Sequence, residues 1–594
     1  MATPKIFRGI AAVATGLLLT AGVVAAPADA ATRSLVRIAI GSAPSSLNPN
    51  TSATNLVTNA DIQYLTGAQF NYLDDTPKQV RNTKFGTYKV IRQQPFTVKY
   101  TVNAGQVWSD GTAIDAADLL LPYVTSSGFF DDAASGTEWK AADKGKGLNK
   151  VSKLPKVSDD GRSVTFVYDL GYYSDWEQFY DLALPAHGVT KLAFPTDTSA
   201  VAKNRFLNAV EARDFKVLKK IADKWNTAYN ILNTVGVDNN TNPNLLITSG
   251  AYKLQAAVAK QSVTLVRNDK FRGGNIPTIK SIQFKVIDSS AQPQALENGE
   301  VDALAGSFSV DAVKQLRAQS GSNVQSAKAA KYEHVDLRVD SSSPWAGYSD
   351  KAKDLRKAFL ATIPRETIID NLIKPINPKT VALGALTLLP GQAGYESVAA
   401  SNGSKAYATA YTKRLAASKA TLAKYGFTEA NPLEVRLVFS ANDTLRADEA
   451  NLIAASAAKA GFKVTLNPTT TLGASRSNKN FDAHLYSWSR SDIGVTWAQK
   501  VFGYNAALAE PRANNVIGYN NPALNKLVDV LEQPLTASQL AKQTLAIEKV
   551  LYADGVQLSI YQHSNVTAST KALKGINAAP LSPNLVWNFW NWKY

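Results

Sequence analysis

The stretch VWSDGTAIDAADL, residues 107–119, combines a tight turn with the start of a helix. Ser109, Asp110 and Gly111 are typical turn residues. Asp115 is a predicted helix N-cap, because its carboxylate can accept hydrogen bonds from the free N–H groups of the first turn. Asp118 is favourable in that turn, close to the positive end of the helix dipole. We therefore expect these carboxylates to stabilise structure, with catalysis as the weaker alternative.

The patterns on either side of this stretch predict a mixed α/β protein. Residues 35–40 and 96–102 are expected to form strands. Farther along, strand-like residues 434–439, helix-like residues 447–460 and strand-like residues 463–466 form a βαβ pattern, which indicates a compact unit with parallel strands. With 594 residues, the chain is too long for one ordinary core, so we expect two to four domains.

The first 30 residues have the pattern of a secretory signal peptide. Lys5 and Arg8 precede an apolar run at residues 10–24, and a small-polar-small sequence ends at Ala30. The run is shorter than the roughly 20 residues that span a bilayer. We expect cleavage near Ala30 and export to the cell surface or periplasm, with a retained membrane anchor as the alternative.

The composition excludes several classes of chemistry. The sequence contains no cysteine, so disulfides, thiolate catalysis, cysteine-bound metals and a lipid-bearing lipobox cysteine are all absent. The formal net charge of +16 is compatible with contact to anionic cell-envelope polymers. Nucleic acid is not expected as a partner of an exported protein that lacks a recognition motif.

No enzyme motif is evident along the chain. The sequence has no His-Glu-x-x-His zinc site, no Gly-x-Ser-x-Gly nucleophile turn and no phosphate-binding loop. Its four histidines are widely separated: His187, His334, His484 and His563. We therefore predict a protein that is not an enzyme and needs neither metal nor cofactor. A secreted hydrolase remains an alternative, because folding can bring distant groups together.

An ordered series of short motifs covers nearly the whole chain after residue 46 and resembles family 5 of the bacterial extracellular solute-binding proteins. This family holds the oligopeptide-, dipeptide- and nickel-binding proteins of ABC importers. The motifs are LNP (47–49), WSDGT (108–112), AAD (116–118), LPAH (184–187), SGAYKL (249–254), ALENGEVD (295–302), LRKAF (355–359) and FDA (481–483) leading to Trp488.

The resemblance implies a two-lobed, periplasmic-binding-protein-like α/β fold of class II, with a hinge and an extra subdomain in lobe I. Lobe I would comprise residues 31–287 and 556–594, and lobe II residues 288–555. A solute would bind in the cleft between the lobes, and hinge closure would present it to the permease of the importer. We expect the protein to act as a monomer.

The resemblance also implies candidate ligand-binding residues. Peptide binders of this family hold peptide through its backbone, and an aspartate after a tryptophan in lobe II receives the amino group. Here the candidate is Asp492 after Trp488. It lies one residue beyond the usual spacing, which falls on Ser491, and the usual Asp-Pro pair is missing. The neighbouring Arg490 could neutralise this carboxylate or favour an anionic ligand.

Four further residues are weaker candidates for contact with ligand. Trp488 and Trp497 could stack on a ligand or belong to the core, and Ser45 and Ser46 are selected by their position after the first strand. Because tryptophan suits sugar rings, an oligosaccharide is the alternative ligand class to a peptide. The aromatic tail at residues 586–594 is expected to be a terminal strand with its rings in the core.

Overall fold

The structure, a computed structural model, describes residues 33–594 apart from 77, 143–146, 170–175, 179–180, 307, 341–342, 442, 470–479, 491–495, 506–509, 512–513 and 534. The predicted signal peptide, residues 1–30, lies outside the described residues. Within the part of the chain that is described, no helix is long and apolar enough to cross a membrane.

Strands occur in every part of the described chain. They are β1 (Leu35–Ile40), β2 (Ala68–Gln69), β3 (Asn71–Leu73), β4 (Gln79–Arg81), β5 (Gly86–Arg92), β6 (Thr97–Val102), β7 (Lys156–Val157), β8 (Ser163–Val167), β9 (Asp181–Leu182), β10 (Tyr252–Val258), β11 (Ser262–Arg267), β12 (Ser281–Val286), β13 (Ala303–Gly306), β14 (Ser322–Leu337), β15 (Leu433–Ser440), β16 (Phe462–Thr469), β17 (Ala483–Ser489), β18 (Tyr504–Asn505), β19 (Glu510–Pro511) and β20 (Gln557–Thr570).

Helices alternate with these strands. They are α1 (Val57–Thr66), α2 (Ala116–Ser126), α3 (Ala186–Ala193), α4 (Ser199–Ala212), α5 (Phe215–Thr227), α6 (Gln292–Glu297), α7 (Val310–Ala318), α8 (Asp350–Thr362), α9 (Arg365–Ile368), α10 (Tyr395–Ala399), α11 (Tyr411–Lys424), α12 (Thr444–Ala458), α13 (Trp497–Phe502), α14 (Pro522–Asp529) and α15 (Ala537–Asp554). Pro364 lies between α8 and α9.

One ten-stranded sheet organises most of the molecule, in the order β10-β11-β12-β1-β13-β20-β14-β17-β15-β16. In its first half, β1 runs parallel to β12 and β13. In its second half, β15 runs parallel to β16 and β17, so the predicted βαβ unit is present. The long antiparallel strands β14 and β20 lie between the halves and connect them.

Separate hydrophobic clusters accompany the two halves of the sheet. Val36, Leu265 and Trp592 belong to the cluster of the first half, and Leu437 and Leu551 to that of the second. A third cluster lies between α2–α5 and the separate four-stranded sheet β5-β6-β8-β7. This arrangement corresponds to two lobes and an additional subdomain that is inserted into the first lobe.

The crossing from one half to the other occurs within β14. Its residues before Ala329 pair with the end of β20, whereas those after Lys331 pair with the beginning of β20 and with β17. The register shifts between these two stretches, so that residues 329–331 bulge opposite His563. The helices α6 and α7 pack with β13 on the first half. Their packing favours a lobe boundary near residues 329–331 over one at residue 288, and the boundaries stay a prediction.

The capping role predicted for Asp115 is confirmed. Its side chain accepts a hydrogen bond from the first turn of α2 at 3.0 Å. In return, the Asp118 carboxylate accepts one from the Asp115 backbone N–H at 3.1 Å. This reciprocal capping box satisfies donors that a helix start would otherwise leave unpaired.

The Asp118 carboxylate also joins three motifs of the sequence. It accepts hydrogen bonds from the buried Trp108 indole at 3.1 Å and from the Ala186 backbone at 2.9 Å. Lys203 of α4 lies 3.1 Å away and balances the buried charge. The WSDGT, AAD and LPAH motifs therefore meet at one structural centre of the subdomain.

The prediction of a terminal strand is wrong. Residues 586–594 form turns and a short 3₁₀ helix at Phe589–Asn591. The aromatic side chains nevertheless enter the core, since Trp592 is completely buried and its indole donates to Asn588 at 3.0 Å. Local hydrophobicity signals burial here, but it does not distinguish a strand from packed turns.

Candidate functional site

Two cavities lie beside the crossing between the sheet halves. The wide cavity, about 640 Å³, is lined by residues from both halves, including Asp75, Lys328, Gln392 and Gln562. The narrow cavity, about 290 Å³, is also lined from both halves, including Ile40, Asp61, Gly306, Lys331 and Ser489. Ala330, Arg490 and Pro580 line both. Together they are the candidate ligand cleft.

The strand directions explain the position of the narrow cavity. The parallel strands β1 and β13 end at Ile40 and Gly306, and β17 in the other half ends at Ser489. All three terminal residues line the cavity. Ligands in α/β proteins commonly bind beyond the carboxyl ends of parallel strands, where side chains and backbone groups are left free.

Hydrogen bonds hold the shared wall of the two cavities in place. The Ala330 N–H donates to the Pro580 carbonyl at 2.8 Å, and the Ala330 carbonyl accepts from the Arg490 N–H at 2.7 Å. The Gln562 side chain donates to the Ala329 carbonyl at 2.8 Å. The bulge of β14 is therefore a defined element to which segments of both halves are attached.

The Arg490 side chain is held against the second half of the sheet. Its guanidinium donates to the Gln392 side chain at 2.8 Å and to the Thr387 carbonyl at 3.3 Å. It also lies 5.2 Å from the centre of the Trp497 ring. These contacts give Arg490 a clear structural role in positioning the loop at residues 387–392, while the residue still lines both cavities.

The principal predicted site residue, Asp492, lies outside the described residues. The nearest described residue before it is Arg490, which forms part of both cavity walls. The segment that contains Asp492 therefore begins at the candidate cleft. Its role as the amine-binding carboxylate stays a prediction.

The two candidate tryptophans pack against each other inside the second half. Their rings are 5.8 Å apart at an angle of 89°. The Trp497 indole donates to the Tyr332 hydroxyl at 3.3 Å, and the Trp497 side chain is buried. Neither Trp488 nor Trp497 is among the described residues that line the two cavities. Their proposed contact with ligand stays a prediction.

The candidate serines form a turn that is attached to α1. The backbone N–H groups of Ser45 and Ser46 donate to the Asn59 side-chain oxygen at 2.8 and 3.2 Å. The Asn59 amide in turn donates to the Ser45 hydroxyl at 2.9 Å. Neither serine lines the two cavities, and ligand contact stays a prediction for both. Their evident effect is to position α1.

Two charged residues of the narrow cavity were not predicted from the sequence. Asp61 of α1 is half-buried, its Oδ1 atom is shielded from solvent, and burial raises the pKa of its carboxyl to about 8. Burial likewise lowers the pKa of the Lys331 ammonium. Val57, one turn before Asp61, faces the same cavity. A charged residue beside apolar ones on a helix usually faces bulk water. The sequence pattern alone therefore did not distinguish Asp61 from an ordinary surface carboxylate.

A buried ionic network lies in the second half, next to Lys331 in the chain. The Glu333 carboxylate binds Arg446 at 2.8 Å and His563 at 2.7 Å. Burial raises the Glu333 pKa, but the hydrogen bond from His563 and the charge of Arg446 outweigh it and lower the pKa overall. This network connects β14, β20 and α12 and gives His563 a structural role.

Another histidine is paired with a motif residue in the subdomain. The His187 Nε2 atom lies 3.0 Å from the Asp110 carboxylate, which also accepts from the Thr112 hydroxyl at 2.9 Å. This contact links LPAH to WSDGT. Over the described ranges, no group of three or more histidine, cysteine, aspartate or glutamate side chains could hold a metal ion.

Comparisons with known proteins agree with this architecture. The model of the family described as "Bacterial extracellular solute-binding proteins, family 5 Middle" matches residues 90–506. An uncharacterized lipoprotein of Mycobacterium leprae is 22% identical over 531 residues, covering 88% of this chain and 87% of the relative. The oligopeptide-binding protein OppA of Mycobacterium tuberculosis is 22% identical over 517 residues, covering 86% of this chain and 76% of that protein.

The solved structure of the periplasmic EDTA-binding protein EppA has the same fold, with a TM-score of 0.76 at 21% identity over 94% of this chain and 96% of that one. The predicted α/β fold class and the family resemblance are thus confirmed. The chain belongs to family 5 of the bacterial extracellular solute-binding proteins, the binding components of ABC importers.

Proposed function

We propose that this protein captures oligopeptides or dipeptides in the cleft between its lobes and delivers them to the permease of an ABC importer. The observation that carries the proposal is the wide cavity of about 640 Å³ with walls from both lobes. This volume is in the range of typical ligand pockets. Its lining includes Asp75, Lys328 and Arg490, so both ends of a peptide zwitterion have complementary charges nearby. The relative OppA is named for oligopeptide binding.

Hinge closure provides the link between binding and delivery. A ligand that contacts both lobes stabilises the closed state relative to the open one, because those contacts exist together only when the cleft is closed. The crossing strands β14 and β20 are the connection about which the lobes would move. Extended peptide would be bound mainly through its backbone, with water around its side chains.

The amino group of the peptide requires an anionic partner in the closed cleft. We assign this role to Asp492, whose segment follows the cavity residue Arg490. A carboxylate removed from water by closure is stable only when it is paired, and an ammonium group provides a charge-assisted hydrogen bond.

The lining of the wide cavity favours a peptide over an oligosaccharide. None of its described lining residues is aromatic, and Phe284 is the aromatic residue among those described around the narrow cavity. Sugar rings are commonly bound by stacking on aromatic faces, whereas peptide backbones need polar groups and charges. A binding protein should also release its ligand intact, whereas a secreted hydrolase would cleave it.

The site of action follows from the family, whose members are extracellular or periplasmic. We infer export through the segment at residues 1–30, with cleavage near Ala30 and a monomeric mature protein. The M. leprae relative is a lipoprotein, but none of the 594 residues here is cysteine, so lipid attachment at that side chain is ruled out. The charge of +16 would favour retention by anionic envelope polymers or anionic lipid surfaces.

Identification of the natural ligand tests the proposal directly. The protein is purified from its own host and denatured, and the released small molecules are analysed by mass spectrometry. Calorimetry with the recovered compounds then measures affinity. We expect peptides, bound at one per protein and recovered intact. Recovery of an oligosaccharide, or cleavage of the added peptide, would contradict the proposal.

The variant Asp492→Asn tests the amine-binding role separately. Loss of the carboxylate should weaken peptide binding at least tenfold, because the buried ammonium group would lose its charged partner. Asp223→Asn is the matched control, since Asp223 is exposed on α5 and pairs with Lys219. Unchanged affinity of Asp492→Asn, measured by calorimetry at neutral pH, would refute the assignment.

A further inference from the structure

The narrow cavity contains an acidic and a basic side chain that form no ion pair with each other. Asp61 of α1 comes from the first half of the sheet assembly, and Lys331 of β14 lies just after the bulge, where the strand pairs with β17. Within the described part of the chain, the Asp61 carboxylate accepts no hydrogen bond, and neither side chain forms an ion pair, including with each other. The two lobes thus each present one ionisable side chain without an ion pair to the same space.

Beside Asp61 the lining is largely apolar, whereas the Lys331 ammonium lies in the field of the Glu333 carboxylate. Ile38, Ile40 and Phe284 contribute apolar surface beside Asp61, and Leu585 and Val586 do so from the returning chain. A shielded polar atom without a partner destabilises the folded state, and more so when it is charged. A ligand that supplies the missing partner would explain why the carboxyl group lies here.

A purely structural role explains Asp61 poorly. Asn59, two residues earlier on α1, holds the Ser45–Ser46 turn through several hydrogen bonds, so this attachment does not need Asp61. Val57 and Asp61, one turn apart, both face the cavity. The helix is therefore oriented with the carboxyl towards the cleft.

We propose that Asp61 and Lys331 bind opposite charges of a zwitterionic ligand, Asp61 receiving an ammonium or guanidinium group and Lys331 a carboxylate. The inference deepens the proposed function, on which it rests, by adding a cation-binding residue in lobe I to the one assigned in lobe II. A ligand held in this way connects α1 of the first lobe with the start of the second. Its two charge pairs would therefore favour closure.

Binding at Asp61 should release a proton at neutral pH. Burial raises the pKa of the carboxyl to about 8, so the empty site is largely protonated at pH 7, and an incoming cation displaces that proton. The other charged groups among the described lining residues are Lys331 from β14 and Arg490 after β17. Arg490 is engaged with Gln392, so Lys331 is the cation available for the ligand's carboxylate.

Calorimetry with a charge-deletion panel tests the inference in the whole mature protein. The ligands are dialanine, acetyl-dialanine, dialanine amide, Ala-Lys and Ala-norleucine, each as a pure peptide. The proteins are wild type, Asp61→Asn, Lys331→Met, Asp492→Asn and the surface control Asp223→Asn. The substitutions Asp61→Asn and Lys331→Met nearly preserve side-chain size, and circular dichroism verifies that both variants fold. Titrations in buffers of different ionisation enthalpy measure the protons released.

The expected result is a specific loss of charge sensitivity. Acetylation of the amino group, or norleucine in place of lysine, removes one cation from the ligand. When the removed cation is the one that faces Asp61, binding to wild type should weaken about tenfold and binding to Asp61→Asn less than threefold. Lys331→Met should likewise become insensitive to C-terminal amidation. Proton release at pH 7 should disappear in Asp61→Asn and persist in Asp223→Asn. The inference is overturned if Asp61→Asn binds peptide with the wild-type affinity. It is also overturned if acetylation and the norleucine replacement both weaken binding to Asp61→Asn as much as they weaken binding to wild type.

Failure of the proposed function gives a different result. If wild type binds no peptide, the peptide proposal falls, and the same variants are titrated with the zwitterions L-lysine and L-ornithine. Binding that depends on Asp61 and releases a proton supports the charge-pair site for a non-peptide ligand. Absence of any signal that depends on Asp61 overturns the inference as well.

Discussion

Asp61 lowers the stability of the folded protein and, in the proposed site, binds a cation of the ligand. Its carboxyl is shielded in an apolar setting, and the resulting pKa of about 8 means that the folded protein binds its proton more tightly than the unfolded chain does. Unfolded aspartate titrates near pH 4. The contribution of Asp61 to stability should therefore fall progressively as the pH rises from about 4 to about 8, as this carboxyl ionises in the unfolded state.

The substitution Asp61→Asn should remove this pH dependence. We expect the variant to be more stable than wild type by roughly 1–3 kcal/mol at pH 8, because the amide cannot ionise and so loses nothing when burial suppresses ionisation, and similar to it near pH 4. Thermal unfolding of the ligand-free proteins between pH 4 and pH 8 measures the difference. A stability difference that shrinks as the pH rises would contradict the prediction.

Glu333 shows the opposite behaviour. Its pKa is lowered because His563 and Arg446 outweigh the effect of burial, so the network stabilises the fold above about pH 4, and this contribution is lost at lower pH. Glu333→Gln leaves the buried Arg446 guanidinium without the charge of this carboxylate and should destabilise the protein by roughly 3–5 kcal/mol at pH 7. Denaturant unfolding at pH 7 and pH 4 should show a smaller loss at the lower pH, and an equal loss at both would count against this account.

At the scale of elements, the start of α2 depends on Asp115. The carboxylate caps the helix and also lies 2.8 Å from the Lys203 ammonium, so one side chain connects α2 with α4. Asp115→Ala should lower the free energy of unfolding by about 1 kcal/mol through loss of the cap. Thermal unfolding compared with the exposed control Asp223→Ala tests this, and equal stability of the two variants would disprove the role of the cap.

The crossing strands are the other element on which function depends. β14 and β20 pair on both sides of the bulge at residues 329–331, and hydrogen bonds join this bulge to Pro580 and Arg490. Regular pairing on either side would keep each lobe rigid, while the interrupted register provides a place where the angle between lobes can change. We therefore expect the bulge to act as the hinge as well as a wall of the candidate cleft.

At the scale of the whole molecule, ligand binding should compact and stabilise the protein. Contacts with both lobes favour the closed state, so the radius of gyration measured by X-ray scattering should fall on addition of the identified ligand. Ligand at 100 times its dissociation constant should add about 2.7 kcal/mol to the free energy of unfolding. A charge-blocked form of the ligand is the control, and stabilisation without compaction would argue against closure.

Features that depend on neighbouring residues were predictable from the sequence. The cap at Asp115 and the βαβ unit of β15, α12 and β16 follow from local hydrogen bonding and hydrophobic periodicity. The ordered motifs likewise predicted the family. The segment at 586–594 was the exception, because apolar residues indicate burial without specifying backbone geometry.

By itself, the sequence determined the α/β class, the family and the lack of cysteine chemistry. Only the tertiary structure decided which side chains face the cleft. Trp488 and Trp497 pack against each other, whereas Asp61 and Lys331, from separate parts of the chain, line one cavity without pairing. The physical reason is that burial and the absence of a partner are properties of the packed surroundings, which join α1, β14 and β17 across the crossing and leave no local sequence pattern.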